Sequence, residues 1–334
     1  MRIRKSIAAI GMLAVGALAL SACSNGGGDA ASTDGAAAGD DSFKIGVIQL
    51  VQHPALDAAT EGFQQAFADA GINAEFDVQV ANGEQSTAAT IAAGFAGDSD
   101  IDLVLAVATP AAQSAATAIT NVPVLFTAVT DPVAADLVAS DEEPGGNVTG
   151  TSDLNPVADQ IELIRQLDPS VESVGVVYSS GEVNSQVQVD LAQEKADELG
   201  LELKTATVTN VGEVPTALDS LGDVDSIYVP TDNTVVSGID TVLTYAADHK
   251  VPVVSGDTGP VEAGAVATLG LDYSKLGVQT GEMAIRILQD GEDPATMPVE
   301  VQTEFDLVVN PKGAEAVGLE IPKDLLDQAA QVID

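Results

Sequence analysis

Polar side chains of a few kinds follow the apolar segments that this sequence predicts to be β-strands. Carboxylates stand at Asp131, Asp232 and Asp257, and a hydroxyl and an amide stand at Thr109 and Asn233. In open parallel sheets, ligands bind beyond the carboxyl ends of the strands, where loops and helix N-termini meet. Hydroxyls beside helix N–H groups suit a carboxylate, and Asp232 and Asp257 suit an ammonium group. Together these groups would complement a zwitterion such as an amino acid.

The same residue types are also favoured at helix N-caps. Thr109, Asn155 and Asn233 each stand at or beside a predicted helix start, where Ser, Thr, Asp and Asn are preferred irrespective of function. For each single residue, capping and ligand binding therefore remain alternatives. The clustering of these residues at strand ends is what favours a ligand site.

The sequence lacks the usual catalytic signatures. It contains no Gly-x-Ser-x-Gly turn, no phosphate loop ending in Gly-Lys-Ser/Thr, and no Gly-x-Gly-x-x-Gly after the first predicted strand. Its two histidines, His53 and His249, and its one cysteine, Cys23, provide no zinc-binding set. These absences weaken an interpretation as an enzyme without excluding it, and we expect a binding protein with no catalytic residue, no metal and no cofactor.

The chain begins with the features of a secretory signal. Basic residues open it, and an uncharged apolar run, residues 7–20, comes next. This run is too short to span a bilayer, and small residues follow it. We therefore expect residues 1–22 to be a signal peptide that is removed.

A second N-terminal feature concerns the single cysteine. Leu20-Ser21-Ala22-Cys23 resembles the bacterial lipoprotein box, which implies that Cys23 becomes the lipidated first residue of the mature protein. Two acyl chains are enough for stable anchoring, here to the outer face of the cell membrane. Residues 23–42 then combine the lipidated cysteine with a flexible linker rich in Gly, Ala, Ser and Asp.

The chain is strongly acidic. It has 51 Asp and Glu residues against 12 Lys and Arg residues, a formal net charge of −39. Such a surface repels nucleic acid, which proteins bind through Lys and Arg, and it repels anionic lipid headgroups. We therefore expect no nucleic-acid partner, and a membrane association that depends on the covalent anchor.

Beyond the linker, short apolar segments alternate with segments of helical periodicity. The apolar segments are rich in Val, Ile and Leu on both faces, which is typical of parallel strands covered by helices. The first run predicts strands at 43–50, 72–81, 101–108 and 122–129, and helices at 54–70, 84–95 and 110–119. The second run predicts strands at 173–179, 201–208, 226–230 and 251–257, and helices at 155–167, 184–199, 215–221 and 233–249. Because both runs have the same order of elements, we expect an α/β protein of two doubly wound parallel-sheet lobes joined by a hinge.

The C-terminal part differs from both runs. It predicts strands at 265–271 and 299–310 and helices at 275–288 and 322–332. Such a tail can cross between lobes, and the expected crossings are near 147–152, 258–271 and 300–310. The expected division is lobe 1 at 43–147, lobe 2 at 148–258, a return to lobe 1 at 259–299, and a hinge strand with a C-terminal segment of lobe 2 at 300–334.

Several short motifs, taken in order, resemble the substrate-binding lipoproteins of bacterial ABC importers, in the subgroup associated with tryptophan and tyrosine uptake. They are Ile45-Gly46-Val47, Gln52-His53-Pro54-Ala55-Leu56-Asp57, Ala108-Thr109-Pro110-Ala111-Ala112-Gln113, Thr130-Asp131-Pro132-Val133, Asn147-Val148-Thr149-Gly150-Thr151-Ser152-Asp153, Tyr228-Val229-Pro230-Thr231-Asp232-Asn233, Leu271-Asp272-Tyr273-Ser274-Lys275-Leu276-Gly277 and Gln279-Thr280-Gly281. The resemblance covers roughly residue 43 to the C-terminus. It implies a type I periplasmic-binding-protein fold, a ligand site between the lobes, and docking of the closed form onto ABC permease subunits.

Carried over by position, the resemblance also implies ligand contacts on both lobes. They are Gln52, His53, Thr109, Thr130 and Asp131 in lobe 1, and Tyr178, Asp232, Asn233 and Asp257 in lobe 2. The implied function is an extracytoplasmic solute-binding lipoprotein that captures a small amino-acid-like ligand by hinge closure and delivers it to a permease. Two alternatives share this architecture, a ligand-sensing module for a signalling partner and a two-lobed enzyme of the transferase type.

Overall fold

The computed structural model describes residues 42–333. The predicted signal peptide, Cys23 and the predicted linker up to residue 41 lie outside the described residues. The described chain contains two sheets, each with its own helices. No helix between residues 42 and 333 is both long enough and apolar enough to cross a lipid bilayer.

The strands and helices follow the predicted alternation. In chain order the strands are β1 (Phe43–Gln49), β2 (Ala74–Val80), β3 (Leu103–Val107), β4 (Val124–Val129), β5 (Val148–Ser152), β6 (Ser173–Ser179), β7 (Glu202–Val208), β8 (Ser226–Val229), β9 (Val253–Ser255), β10 (Ala267–Gly270), β11 (Glu300–Val301), β12 (Asp306–Val309) and β13 (Gln331–Val332). The helices are α1 (Pro54–Ala70), α2 (Gln85–Gly97), α3 (Thr109–Ala118), α4 (Val157–Leu167), α5 (Val183–Leu199), α6 (Val214–Ser220), α7 (Asn233–Ser237), α8 (Ile239–His249), α9 (Thr258–Ala263), α10 (Tyr273–Ile285), α11 (Pro311–Val317) and α12 (Lys323–Gln328). A short 3-10 turn covers Val211–Glu213, and a π-helical turn, Arg286–Asp290, extends α10.

Lobe 1 is built on a sheet with the strand order β11-β5-β4-β3-β1-β2. All of its neighbouring strands run parallel. The central strands β3 and β4 are buried along their whole length, since they consist of apolar residues and one threonine and are covered on both faces. The order places β1 between β2 and β3, so the chain reverses direction across the sheet at β1 and β3, which is where ligands bind in such sheets.

Lobe 2 repeats this arrangement. Its sheet has the order β13-β12-β10-β9-β8-β6-β7, so its first five strands have the same order as the first five strands of lobe 1. The one antiparallel pair is β10 with β12, because β12 enters from the opposite direction after crossing from lobe 1. The two doubly wound sheets confirm the predicted fold class, and the reversal in lobe 2 lies between β6 and β8.

Helix α10 ties the C-terminal part of the chain to lobe 1. It packs along α1 at three glycines, Gly62 on α1 and Gly277 and Gly281 on α10. A Cβ atom at Gly277 would overlap the carbonyl oxygen of Ala59, so only a glycine lets the two backbones approach this closely. This packing fixes the N-terminal end of α1, which carries His53, relative to the N-terminal end of α10, which carries Tyr273.

The structure corrects the predicted lobe boundaries. Residues 148–152, expected to open lobe 2, form β5 and pair with β4 of lobe 1, with Val148 opposite Val124. Residues 267–270, expected in the return to lobe 1, form β10 of lobe 2, and the return begins only at Tyr273. Hydrogen bonding to a neighbouring strand decides lobe membership, and a single strand pattern does not show which sheet it will join.

The predicted strand at 299–310 is also corrected. It is two short strands, β11 paired with β5 in lobe 1 and β12 paired with β10 in lobe 2, so the chain crosses between them. The predicted helix at 322–332 ends at Gln328 and is followed by β13, which pairs with β12. The three crossings therefore lie at 153–156, 271–272 and 302–305, within or just after the expected segments.

Candidate functional site

A small cavity lies where the two lobes meet at the carboxyl ends of their strands. It is lined from lobe 1 and the crossings by His53, Ala55, Leu56, Ala128, Thr130, Asp153 and Tyr273, and from lobe 2 by Asn184, Thr231, Asp232, Asn233, Val236 and Asp257. The free space amounts to about 10 Å³, roughly the room that one water molecule needs. The lobes are therefore closed tightly over a polar, acidic site.

Strained backbone marks the lobe 1 side of this site. Ala108, directly after β3, has φ 82°, and Ala128, within β4 and lining the cavity, has φ 55°. Alanine rarely adopts positive φ, and each such residue costs of order 1–3 kcal/mol, which the surrounding structure must offset. Such outliers cluster at functional sites, so their position at two adjacent strand ends supports the assignment of the cavity.

His53 links lobe 1 to lobe 2 across the cavity. Pro54 at the first position of α1 keeps His53 extended, with φ −158° and ψ 161°. Its Nε2 lies 3.3 Å from Oδ1 of Asn233. The Asn233 amide nitrogen donates to Glu182 at 2.6 Å, so Oδ1 faces His53 and Nε2 is the donor of the interlobe hydrogen bond. Nδ1 of His53 is buried without a partner among the described residues.

Two acidic side chains hold the start of α7 on the lobe 2 side. Asp232 accepts hydrogen bonds from the amides of Ser179 (2.5 Å) and Val235 (2.8 Å) and from the hydroxyl of Ser185 (2.7 Å). Glu182 accepts from both the backbone and the side chain of Asn233. Burial, together with the nearby charge of Glu182, raises the pKa of Asp232 to about 7. Asp232 is therefore a structural cap of α7 that also lines the cavity.

Asp257 occupies the corresponding place before α9. Its Oδ1 accepts a hydrogen bond from the amide of Gly259 at 2.9 Å. Burial raises the pKa of Asp257, and the nearby imidazole of His53 opposes that rise. Because Asp257 belongs to lobe 2 and His53 to lobe 1, their electrostatic interaction crosses the cavity.

A third carboxylate lies at the hinge. Asp153 accepts a hydrogen bond from the hydroxyl of Tyr273 at 2.6 Å and one from the hydroxyl of Thr130 at 3.3 Å. Burial raises the pKa of Asp153 to about 6, although both hydrogen bonds favour its ionised form. The pKa of Tyr273 is also raised, by burial and by the negative charge of Asp153.

The structure brings together five of the nine residues proposed from the sequence. His53, Thr130, Asp232, Asn233 and Asp257 line the cavity. The other four are not among the residues that line it. Gln52 is exposed, Thr109 is buried at the start of α3, Asp131 accepts from the amide of Ala134, and the Tyr178 hydroxyl donates to Gln186. The hydroxyl oxygen of Thr109 is buried without a hydrogen-bond partner among the described residues.

Four polar residues of the cavity were not predicted from the sequence as ligand contacts: Asp153, Asn184, Thr231 and Tyr273. Asp153 and Tyr273 belong to the motifs given above, but neither directly follows a strand that was predicted from the sequence. Asn184 begins a helix one turn after β6 and carries no local signal. Its Oδ1 is buried without a partner among the described residues, so it can accept a hydrogen bond from a ligand.

The lining defines what the site can bind. Three carboxylates, Asp153, Asp232 and Asp257, meet there, and none of the lining residues is Lys or Arg. The hydroxyl and amide groups of Thr130, Thr231 and Asn233 add donors and acceptors, and alanine, leucine and valine add a small apolar surface. The site is therefore suited to a small ligand that combines a positive charge with hydrogen-bonding groups.

Comparisons with known proteins identify the family. Residues 44–333 match the family model described as ABC transporter substrate binding protein. A curated relative, the tyrosine-binding protein of Clostridioides difficile (strain R20291), is 38% identical over 312 residues, which cover 92% of this chain and 90% of the relative.

Two solved structures add a comparison of shape. The ABC domain of a Streptococcus pneumoniae protein in complex with L-Trp is 40% identical, with a TM-score of 0.84, and covers 88% of this chain and 100% of that one. The second structure is the ligand-free, open form of a substrate binding protein with adhesive properties from Clostridium difficile. It is 42% identical, with a TM-score of 0.66, and the match covers 87% of this chain and 99% of that one. The names of these relatives describe proteins that bind tyrosine, L-Trp or a substrate. Matched over nearly all of its described length, the chain belongs to the family of ABC transporter substrate binding proteins.

Proposed function

We propose that this protein is an extracytoplasmic binding protein of an ABC importer that captures a small amino-acid-like ligand between its lobes. The observation that carries the proposal is the polar, acidic cavity to which both lobes contribute side chains. L-Tyrosine and L-tryptophan are the first candidate ligands, because two relatives at about 40% identity are named for, or solved with, these amino acids.

Ligand capture by hinge closure is the second part of the proposal. Two relatives of nearly equal identity differ in TM-score, 0.84 for the complex with L-Trp and 0.66 for the open form, as a different angle between lobes would produce. The described chain is nearer to the closed arrangement, and its cavity of about 10 Å³ is too small for an amino acid. A ligand of that size therefore requires the lobes to separate and then close around it.

Membrane anchoring and delivery complete the proposal. Cys23 would carry the lipid that holds the protein at the outer face of the membrane, beside the permease that receives the ligand. The sequence supports this through its signal peptide and lipoprotein-box pattern. Replacing Cys23→Ser in cells should move the protein from the membrane fraction to the medium or periplasm. An unchanged membrane fraction would contradict the lipid anchor and leave the binding function untouched.

Calorimetric titration tests the binding function directly. Purified protein is titrated with L-tyrosine, L-tryptophan and a panel of other amino acids, and with glucose as a ligand that has no ammonium group. We expect saturable binding of at least one amino acid and none of glucose. Failure of every amino acid to bind would overturn the proposed ligand class.

A further inference from the structure

One carboxylate connects the cavity to the hinge. Asp153 is the first residue of the first crossing, directly after β5, and Tyr273 follows the second crossing at the start of α10. The Tyr273 hydroxyl donates to Oδ2 of Asp153 at 2.6 Å, and the Thr130 hydroxyl, at the end of β4, donates to Oδ1. The side chain of Asp153 thus joins two of the three crossings to lobe 1.

A neighbouring contact reinforces this connection. Asn155, two residues further along the first crossing, accepts from the amide of Leu271 in the second crossing at 3.3 Å. Its amide nitrogen donates to the backbone carbonyl of Asp153 at 3.0 Å. The backbone around Asp153 is therefore held by the same pair of crossings as its side chain.

Asp153 also faces the ligand. Its side chain is 3% exposed and lines the cavity together with Tyr273. The other titratable groups facing this cavity are His53 at the start of α1, Asp232 before α7 and Asp257 before α9. Three acidic groups and one imidazole share a site whose lining includes neither Lys nor Arg, so a buried negative charge there lacks a fixed counter-ion.

We propose that Asp153 is the specificity-determining residue for the amino group of the ligand, and that its bond to Tyr273 links recognition of that group to the hinge. This inference rests on the proposed function. Among the three acids that line the cavity, Asp153 is the one that lies in a crossing between the lobes. Asp232 accepts three hydrogen bonds from the protein as the cap of α7, and Asp257 caps α9 beside His53. Oδ1 of Asp153 accepts from the Thr130 hydroxyl and Oδ2 accepts from the Tyr273 hydroxyl, so each oxygen retains a lone pair for a ligand N–H.

The physical reason is the cost of burying an uncompensated charge. Closing the lobes over ionised Asp153 removes a carboxylate from water, which is unfavourable unless an opposite charge and hydrogen bonds replace the water. A ligand ammonium supplies both, so closure over an amino acid is favourable. A ligand that has the same carboxylate and side chain and lacks the amino group leaves this cost uncompensated. Asp153 therefore discriminates between the two through the energy of the closed state.

The test compares two ligands and three variants of the full-length protein by calorimetric titration at pH 7.5. The ligands are L-tyrosine and 3-(4-hydroxyphenyl)propanoate, its analogue without the amino group. The variants are Asp153→Asn, which keeps the size of the side chain, Tyr273→Phe, which removes only the hydroxyl, and Glu75→Gln, which removes one surface charge of exposed β2. L-Tryptophan and 3-(indol-3-yl)propanoate form a second ligand pair. Thermal unfolding of each variant verifies that it is folded.

We expect Asp153→Asn to weaken L-tyrosine binding at least tenfold and to leave binding of the analogue unchanged or stronger. Tyr273→Phe should weaken the binding of both ligands by a similar factor. It removes the hydrogen bond that holds the hinge and leaves the charge of Asp153 in place. Glu75→Gln should behave like the wild type. Equal effects of Asp153→Asn on both ligands, or no effect on either, would overturn the inference while the proposed function stands. If the wild type binds no amino acid, the proposed function fails and the inference fails with it.

Discussion

Asp232 shows how one side chain serves both fold and site. It is fully buried and accepts three hydrogen bonds that hold the end of β6, the start of α5 and the start of α7 together. A carboxylate can accept all three, whereas an amide has only one accepting atom. Because its oxygens already accept three hydrogen bonds from the protein, Asp232 is a poor candidate for the main ligand contact, although it lines the cavity.

Replacement of Asp232→Asn should therefore destabilise the protein. At least one of the three donors would lose its acceptor, and a buried unsatisfied group costs about 1–3 kcal/mol. Urea unfolding at pH 7 measures the change in the free energy of unfolding. Asp131→Asn serves as the matched control and should cost less than about 1 kcal/mol, because its amide oxygen can still accept from the exposed amide of Ala134. Equal stability of the two variants would contradict the structural role of Asp232.

His53 permits a different test, because its two ring nitrogens have separate surroundings. Nε2 donates to Asn233 on the other lobe, and Nδ1 is buried without a hydrogen-bond partner among the described residues. A glutamine side chain places its amide near the position of Nε2, and an asparagine places its amide near Nδ1. His53→Asn should lose the interlobe hydrogen bond and weaken amino-acid binding about 2- to 10-fold, as loss of about 0.5–1.5 kcal/mol implies.

The paired variant completes this test. His53→Gln should retain more of the affinity, because it keeps a donor for Asn233. Gln52→Ala, one residue earlier, should leave affinity unchanged, since the structure places Gln52 on the exposed surface. If His53→Asn and His53→Gln bind the ligand as tightly as the wild type, the interlobe hydrogen bond contributes nothing to closure.

At the scale of elements, the contact between α1 and α10 decides how the cavity is assembled. The two helices approach through glycines, so their backbones are in contact where most helix pairs are separated by side chains. Because His53 precedes α1 and Tyr273 begins α10, this contact sets the distance between two residues that line the cavity.

Replacing Gly277→Ala should disturb this contact. The new methyl group would overlap backbone atoms of Ala59, and overpacking of this kind costs typically 1–3 kcal/mol of unfolding free energy. Gly94→Ala is the control. Gly94 lies within α2, where nothing lies within 4 Å of an added Cβ, so alanine should stabilise by up to about 1 kcal/mol. Chemical denaturation measures the change in unfolding free energy for each variant. Changes of the same sign would contradict close packing of α1 against α10 at Gly277.

At the scale of the whole molecule, charge should make closure and stability depend on pH. The buried carboxyls Asp153 and Asp232 have pKa values raised to about 6 and about 7, against about 4 for an exposed aspartate. Each favours its protonated form in the closed, folded protein. Their stabilising contribution is therefore complete below about pH 4 and is lost as the pH rises through 6 and 7.

We expect the free energy of unfolding of the ligand-free protein to fall between pH 5 and pH 8. Small-angle scattering should show a larger radius of gyration at pH 8, as ionised Asp153 favours open lobes, and an amino-acid ligand should reverse this change. Asp153→Asn should reduce the pH dependence of the radius. A radius that is independent of pH and ligand would contradict both the hinge motion and the role of buried charge in it.

The sequence by itself determined the elements and their repetition. Local signals identify strands and helix ends without reference to residues far away in the chain. Examples are the apolar runs of β3 and β4, and Pro54 and Gly71 at the two ends of α1. Two runs of the same order therefore sufficed to predict two doubly wound lobes. The residues after the predicted strands include His53, Asp232 and Asp257, which line the cavity.

Tertiary structure alone decided which strand ends meet and which sheet receives the crossing segments. The hydrogen bond between His53 and Asn233 joins residues 180 positions apart, and that between Asp153 and Tyr273 joins residues 120 positions apart. No local pattern encodes such pairs. Short strands such as β5, β11 and β12 acquire a lobe only by pairing with a neighbour, because their own residues fit either sheet. The cavity forms only where residues of both lobes meet. The position of Asp153 in it therefore follows from the tertiary structure and not from a local sequence pattern.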